Sequence, residues 1–293
     1  AAPGAPGPLG EQALLSTADL CWALHADSSV VLEGLRLFCP SALDNWVSVR
    51  RLGVMYWLDA KSHARARAIA EGIGKKLVVG KPSTQDEMDR LIFWFVLLDQ
   101  KSKAISILSV FFKSEKAVAD LLRKDGTDPV VASAFSKNAY RLLQLRRYFL
   151  ALALFLLSGA LGDAVGVAAN RRYCNDPQLA LTIARLRDPV TRDQGVVGEL
   201  EADVWRTVQS TAEDARDPWL QSLALWHQGQ HDQASSVIDD EDLPEPGSQS
   251  EVPSRLAMEK LFWHCGPPGY GDSGLDAFRD AVATSRQAVD LAG

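Results

Sequence analysis

The segment Tyr148–Leu157 (YFLALALFLL) constrains the fold more than any other, because it is apolar on nearly every side of a helix. Leu150, Ala153, Leu154 and Leu157 follow the i, i+3, i+4, i+7 spacing of an α-helix. In water, a helix that is apolar all round must be covered on several faces. The uncharged run around it is too short to span a bilayer, which needs about 20 apolar residues. The segment therefore predicts the buried centre of a helical stack.

The surrounding stretch, residues 138–187, has the highest apolar density of the chain and predicts four short helices in a row. Strand alternation is weak throughout, and the nearest candidate is the short run from Leu77 to Val79. The apolar stripes that flank the central segment are Phe135, Ala139, Leu142 and Leu143, then Leu161, Ala164, Val165 and Ala168, then Leu179, Ile183 and Leu186.

A spacing recurs at the predicted helix junctions, where a turn residue is followed five positions later by alanine. A small residue early in the second helix lets two antiparallel helices approach closely, and the turn residue ends the first helix. Stacked helical hairpins follow, since no single pair buries its own apolar face. The fold predicted is all-α, an α-solenoid of stacked antiparallel helical hairpins. The five junctions are Asp99 to Ala104, Arg146 to Ala151, Gly159 to Ala164, Asn175 to Ala180, and Gly229 to Ala234.

Several helix ends are marked by capping residues. Thr84 and Glu87 form a capping-box pattern, in which each side chain can bond the other's backbone amide. Asp-Pro dipeptides predict helix starts, with Asp as the N-cap and Pro in the first turn, at Asp128-Pro129, Asp176-Pro177 and Asp217-Pro218. Asp188-Pro189 is followed by no apolar stripe, so we expect it to end a helix.

Three segments divide the chain. Residues 1–15 open with a Pro/Gly/Ala linker that suggests a fragment of a longer chain, and a helical domain is expected over 16–188. Residues 197–293 predict further helical hairpins, with an acidic, Pro-rich loop at 239–254. Within these segments, individual helices are expected over 43–58, 61–69, 255–264 and 275–291, among others.

Charge is distributed unevenly. The net charge of -6 argues against a nucleic-acid-binding protein, for which a basic footprint is expected. Residues 199–245 are mainly acidic. The simpler interpretation is two solvated faces, and the alternative is a bipolar surface that orients a protein partner. The opposite, basic excess comprises Lys137, Arg141, Arg146, Arg147, Arg171, Arg172, Arg185, Arg187 and Arg192.

The segment Gly72–Ser83 (GIGKKLVVGKPS) imitates a phosphate-binding loop. Five residues separate Gly74 from the Gly80-Lys81 pair where the motif needs four, and Pro82 occupies the hydroxyl position. We interpret the segment as a loop without nucleotide-binding function.

Other candidate chemistry is sparse. His227 and His231 have a metal-ligand spacing, but a predicted turn separates them, and two exposed polar residues are the favoured interpretation. His264 and Cys265 are adjacent and so point in different directions on a helix. The sequence predicts no catalytic, cofactor-binding or metal residue. The remaining histidines considered, His25 and His63, are expected at the surface or in the core, and the widely spaced cysteines indicate a reducing compartment: Cys21, Cys39, Cys174 and Cys265.

Ordered blocks of residues resemble the C-terminal domain of the RAVE-complex large subunit, a family that includes the DmX-like (rabconnectin) proteins. The resemblance covers residues 19–188. Its blocks are Leu20 to Asp27, Trp46 with Gly53 to Trp57, Asn138 to Leu143, Arg146 to Tyr148, Ala153 to Val165, and Asp176 to Leu186.

The resemblance implies a non-catalytic α-solenoid that promotes assembly of the vacuolar proton-pumping ATPase. Its implied partners are subunits of the ATPase's peripheral sector and other RAVE-type subunits, with no cofactor and no nucleic acid. It implies a cytoplasmic protein peripherally associated with endosomal or vacuolar membranes. No partner-contacting residue transfers, because the matching positions look like core and turn residues. Stacked hairpins also suit a generic scaffold of vesicle coats or trafficking complexes, which is the alternative function.

Overall fold

A computed structural model describes residues 43–58, 60–112 and 116–238, together with Leu20 and Leu24. Every regular element in these ranges is helical. The helices are α1 (Trp46–Arg51), α2 (Val54–Trp57), α3 (His63–Val79), α4 (Gln85–Leu97), α5 (Lys101–Phe111), α6 (Lys116–Arg123), α7 (Pro129–Gln144), α8 (Tyr148–Leu157), α9 (Leu161–Ala169), α10 (Pro177–Arg187), α11 (Pro189–Gln194), α12 (Glu199–Ala215), α13 (Pro218–His227) and α14 (His231–Ile238), with a 3-10 turn at Ala60–Ser62.

The chain forms two compact units. One comprises residues 60–204, and the other comprises residues 1–59 together with 205–293. The division therefore falls within α12. The first unit contains α3 to α11 and the start of α12, and in it α10 packs against α3, α9 and α11. In the second unit, the described helices are α1, α2, α13, α14 and most of α12.

Helix α8 is the buried centre that its sequence predicts. It packs against α4, α7 and α9, and its residues from Leu150 to Leu156 are all buried. Phe155 meets Tyr140 of α7 edge-on, with ring centroids 5.0 Å apart. Phe149 meets Phe93 of α4 in the same way at 5.7 Å. The three neighbouring helices together cover the apolar side chains of α8.

The predicted turn residues are confirmed by their backbone. All five adopt the left-handed conformation, although three of them are not glycine, and the alanine five positions after each is buried. At four of these turns the next residue donates its amide to the carbonyl oxygen five residues earlier, which is the Schellman pattern that ends a helix. These bonds are Gln100 to Phe95, Arg147 to Leu142, Ala160 to Phe155, and Gln230 to Leu225. Arg216 makes a fifth such turn, without the alanine.

The predicted caps are mostly confirmed. Thr84 and Glu87 form a reciprocal capping box, and the three Asp-Pro dipeptides begin α7, α10 and α13 as expected. Asp188 corrects the expectation that its dipeptide only ends a helix. It closes α10 and also caps α11, accepting a hydrogen bond from the amide of Val190 at 3.0 Å. Pro189 starts this second helix because its missing amide needs no partner there.

Two predicted helix boundaries are wrong. The helix expected over 43–58 is broken at Gly53, whose φ of 63° interrupts the helical backbone. A Cβ at Gly53 would lie too close to the side chain of Leu20, and the positive φ also favours glycine at this position. The helix expected over 61–69 continues to Val79, so Leu77 to Val79 is helical.

The unit that contains α13 has an aromatic core. Trp205 and Tyr56 are buried, with ring centroids 5.8 Å apart. Helices α13 and α14 form a hairpin, in which the hydroxyl of Ser222 donates to the carbonyl oxygen of Ala234 at 2.8 Å. Small and hydroxyl side chains thus bring these two helices close together.

The described chain is an all-α array of antiparallel helical hairpins, which confirms the predicted α-solenoid class. Several predictions concern residues outside the described ranges. These are the linker 1–15, the acidic loop 239–254, the helices over 255–264 and 275–291, and the residues Cys21, His25, Cys39, His264 and Cys265.

A fully buried ion pair fixes α10 against the start of α12. Arg185 and Glu201 are both 0% exposed, and Nη2 of Arg185 lies 2.7 Å from Oε1 of Glu201. The Nε–H of Arg185 donates to the same carboxylate at 2.8 Å. Moving each charge from water into the interior costs several kcal/mol. Loss of either partner would therefore leave the other as an uncompensated buried charge.

The first prediction concerns the burial of α8. Leu154→Ala should lower the free energy of unfolding by about 2–5 kcal/mol, because it leaves a cavity in a fully covered position. Leu145→Ala is the matched control, since it deletes the same atoms at a side chain that is 61% exposed. Urea denaturation followed by circular dichroism measures both. Equal effects of the two substitutions would contradict the central position of α8.

The second prediction concerns the buried ion pair. Glu201→Gln should cost about 3–5 kcal/mol in stability, because it leaves the Arg185 guanidinium buried opposite a neutral group. The double variant Arg185→Met/Glu201→Leu should recover most of that loss, since apolar residues of similar volume need no charge partner. The same denaturation experiment tests both variants. A double variant no more stable than Glu201→Gln would contradict this account.

Candidate functional site

The basic residues predicted between 137 and 192 separate into two groups. Four of them are held in ion pairs: Arg147 with Asp89, Arg185 with Glu201, Arg187 with Asp99, and Arg192 with Asp193. The other five are exposed and form no ion pair within the described residues: Lys137, Arg141, Arg146, Arg171 and Arg172. Nearly half of these basic residues are therefore paired with acidic side chains of the same chain.

Three connections lie at the same end of the unit formed by residues 60–204. Arg147 lies in the turn between α7 and α8, and Asp89 lies in the first half of α4. The Nε and Nη2 groups of Arg147 donate to the carboxylate of Asp89 at 2.9 and 2.7 Å. The loop before α4, residues 80–84, is thus close to the turn 145–147. The rings of Tyr148 and Tyr173 lie 5.9 Å apart, which adds the connection 170–176 between α9 and α10.

Six exposed cations come from these connections and from the helix ends beside them. We call this surface the basic end. None of the six forms an ion pair among the residues that the structure describes, and four of them are arginine. The basic end comprises Lys76, Lys81, Arg141, Arg146, Arg171 and Arg172.

The acidic side chains of this end are already engaged. Asp86 pairs with Arg90 at 2.8 Å, and Asp89 pairs with Arg147. Glu87 accepts hydrogen bonds from the amides of Ser83 and Thr84, which lower the pKa of its carboxyl group. The bonds of Glu87 and Asp89 hold the loop 80–84 and the turn 145–147 in place. None of these three acidic side chains pairs with any of the six cations, which face solvent.

Only part of this surface is predicted from the sequence. The basic residues predicted between 137 and 192 include its four arginines, whereas Lys76 and Lys81 lie outside that range. Both lie where α3 ends and the next loop begins, and the helix was expected to end ten residues earlier, at position 69. The sequence does show a local basic cluster, the Lys75-Lys76 pair followed by Lys81. Assigning this cluster to the basic end requires knowing that α3 ends at Val79.

The segment that imitates a phosphate loop is mostly helix, which corrects its interpretation as a loop. Gly74 lies within α3, so its amide belongs to a helical backbone. The helix ends at Val79, and Gly80 donates its amide to the carbonyl oxygen of Lys76 at 2.9 Å. A phosphate loop precedes its helix and offers free amides to the ligand. Here the helix comes first, and the amides of its second half are used internally.

The two histidines with metal-ligand spacing have separate surroundings. His227 is buried and stacks on Trp205 with ring centroids 4.1 Å apart, which corrects the expectation that it is exposed. Its Nε2 lies 2.7 Å from the carbonyl oxygen of Tyr56. Because a carbonyl oxygen can only accept, this nitrogen carries the proton and is not a free metal ligand. His231 is exposed and contacts Trp226.

The Cys174 thiol is poorly suited to nucleophilic catalysis. Burial raises the pKa of the Cys174 thiol to about 12, with a further contribution from the charge of Asp176. This thiol is therefore protonated at neutral pH, whereas a nucleophilic cysteine needs the thiolate. Burial also lowers the pKa of His63, helped by Arg67 and Arg192.

Neither a metal-binding cluster nor a membrane-spanning helix occurs among the described residues. No group of three or more His, Cys, Asp or Glu side chains there converges on a point that could hold an ion. None of the helices in those ranges combines the length and apolar character needed to cross a bilayer.

Comparison with known proteins identifies relatives. DmX-like protein 1 of Homo sapiens is 29% identical over 227 residues, which are 72% of this chain and 7% of that protein. The Mus musculus protein of the same name is 28% identical over 225 residues. The Regulator of V-ATPase in vacuolar membrane protein 1 of Saccharomyces cerevisiae is 26% identical over 215 residues, 71% of this chain and 14% of that protein. The chain thus spans a small part of these relatives.

The family assignment covers most of the chain. A family model described as RAVE protein 1 C terminal matches residues 6–241. The match continues past residue 188, where the resemblance seen in the sequence ends, and includes α11 to α14. Because this match extends over well more than half of the sequence, the chain belongs to the RAVE protein 1 C-terminal family.

Proposed function

We propose that this chain is a non-catalytic helical scaffold of a RAVE-like complex, which promotes assembly of the vacuolar proton-pumping ATPase and so acidifies organelles. The family match over residues 6–241 carries the proposal. The yeast relative is named a regulator of the V-ATPase in the vacuolar membrane, which agrees in function class. The partners proposed are subunits of the peripheral sector of that ATPase and other RAVE-type subunits.

The described side chains support a role in binding rather than catalysis. The imidazole of His227 donates to a backbone carbonyl group, and the thiol of Cys174 is protonated at neutral pH. The buried polar groups Arg185 and Glu201 stabilise the packing of helices. By contrast, the exposed charges of the basic end are available to another molecule, as a scaffold requires.

The location we propose follows from this role. The scaffold works on the cytoplasmic side, peripherally attached to endosomal or vacuolar membranes through its protein partners. The alternative function is a generic helical-repeat scaffold in vesicle coats or trafficking complexes. The antiparallel hairpins are compatible with both functions, whereas the family match favours the role in ATPase assembly.

The third prediction tests this function directly. The tagged chain, used as bait in a cell lysate, should recover subunits of the ATPase's peripheral sector, as identified by mass spectrometry. A tagged α-solenoid from an unrelated family is the control for non-specific capture by helical repeats. Recovery of coat or tethering proteins in place of ATPase subunits would support the alternative. Recovery of neither ATPase nor RAVE-type subunits would overturn the proposed function.

A further inference from the structure

We propose that the basic end is a docking surface for an acidic segment of a partner protein. Its six cations would bind the carboxylates of Asp and Glu side chains in that segment. The inference rests on the proposed function in one respect, since it takes the partner of this scaffold to be a protein. It adds the surface used and the chemistry recognised, neither of which the family match assigns.

The charge of the basic end differs from that of the chain as a whole. The whole chain has a net charge of -6, yet six exposed cations are collected at one end of the unit 60–204. Asp86, Glu87 and Asp89 at the same end are held by Arg90, by backbone amides and by Arg147. Like charges gathered on one surface repel each other, and an anionic partner relieves that repulsion. The surface therefore favours a ligand that carries several negative charges.

The residue types of the basic end suit the binding of carboxylates. Four of the six cations are arginines, whose planar guanidinium groups can bind carboxylates in bidentate fashion. Two half-buried tyrosines, Tyr148 and Tyr173, lie at this end with ring centroids 5.9 Å apart. Arginine and tyrosine are enriched where proteins bind proteins. The composition of the basic end thus matches a protein interface.

Two of the connections at the basic end are held in place by side-chain bonds. Arg146 and Lys81 lie in turns with left-handed backbone, at φ values of 59° and 50°. The bidentate pair between Arg147 and Asp89 ties the turn 145–147 to α4, and the capping box of Glu87 ties down the loop 80–84. A surface that is ordered before binding loses less conformational entropy on docking. The cations are thus presented on fixed connections.

A membrane surface is the competing ligand, because lipid head groups are also anionic. Peripheral helices that enter a bilayer present a continuous apolar face beside their basic residues. Here the large aliphatic side chains exposed near the basic end, among the described residues, are Val79 and Leu145, which come from separate hairpins. Two isolated apolar residues provide little area to insert. The observations therefore favour an acidic protein segment.

The fourth prediction is a binding measurement with a defined probe. Labelled poly-L-glutamate should bind the purified chain, and the Kd should rise at least about tenfold in the double variant Arg141→Glu/Arg171→Glu, since attraction becomes repulsion at two sites. Lys103→Glu/Lys116→Glu is the matched control, because it changes the net charge equally at two exposed residues outside the basic end. Its Kd should stay within about twofold of the wild-type value. Fluorescence anisotropy measures each Kd.

A second charge-reversal variant guards against misfolding. Lys76→Glu/Arg172→Glu should weaken binding similarly, and circular dichroism should show unchanged helicity in all three double variants. Raising the salt from about 0.1 M to about 1 M should also weaken binding, as the Debye length falls from about 10 Å to about 3 Å.

Three outcomes would overturn the proposal. They are no binding of poly-L-glutamate, equal loss in the control variant, and binding of phosphatidylserine vesicles without binding of the peptide. The last result would assign the surface to a membrane. This assay contains no ATPase, so its failure is distinct from failure of the proposed function. Intact peptide binding together with neither ATPase nor RAVE-type subunits in the lysate experiment would refute the function and leave the docking surface standing.

Discussion

The structure of the unit 60–204 depends on the burial of α8. A helix of YFLALALFLL has no polar face, so it is stable in water only when neighbours cover it on all sides. Helices α4, α7 and α9 provide that cover. Two of them are joined to α8 by tight turns at Arg146 and Gly159, which reverse the chain within a few residues. The apolar segment therefore determines both which helices pack together and how short their connections must be.

Ion pairs then lock the hairpins in register and determine which charges stay exposed. Arg147 joins the start of α8 to α4, Arg185 joins α10 to α12, and Arg187 joins the end of α10 to Asp99 in the turn after α4. Each pair uses one arginine of the basic excess seen in the sequence. The cations that remain at the basic end are those that the packing does not need, and this makes them available for binding.

The sequence predicts the parts of this structure that depend on local chemistry. The turn residues, the capping box and the buried α8 are confirmed because each follows from a few neighbouring residues. Contacts between distant residues were missed. Leu20 lies against Gly53 at the break in the helix, and His227 is buried against the Trp205 ring and the Tyr56 carbonyl group. The basic end could not be predicted without the fold either, because its cations come from three separate connections and the helix ends beside them.

We propose that this chain is a helical scaffold that binds the vacuolar ATPase, and that the basic end is the surface it uses. Hydrogen–deuterium exchange of the chain, with and without the purified peripheral sector of that ATPase, tests the claim most directly. We expect slower exchange in the complex at residues 80–84, 145–147 and 170–176, and slow, unchanged exchange in α8 because its amides are already buried. Protection confined to other surfaces, or no protection at all, would contradict the account.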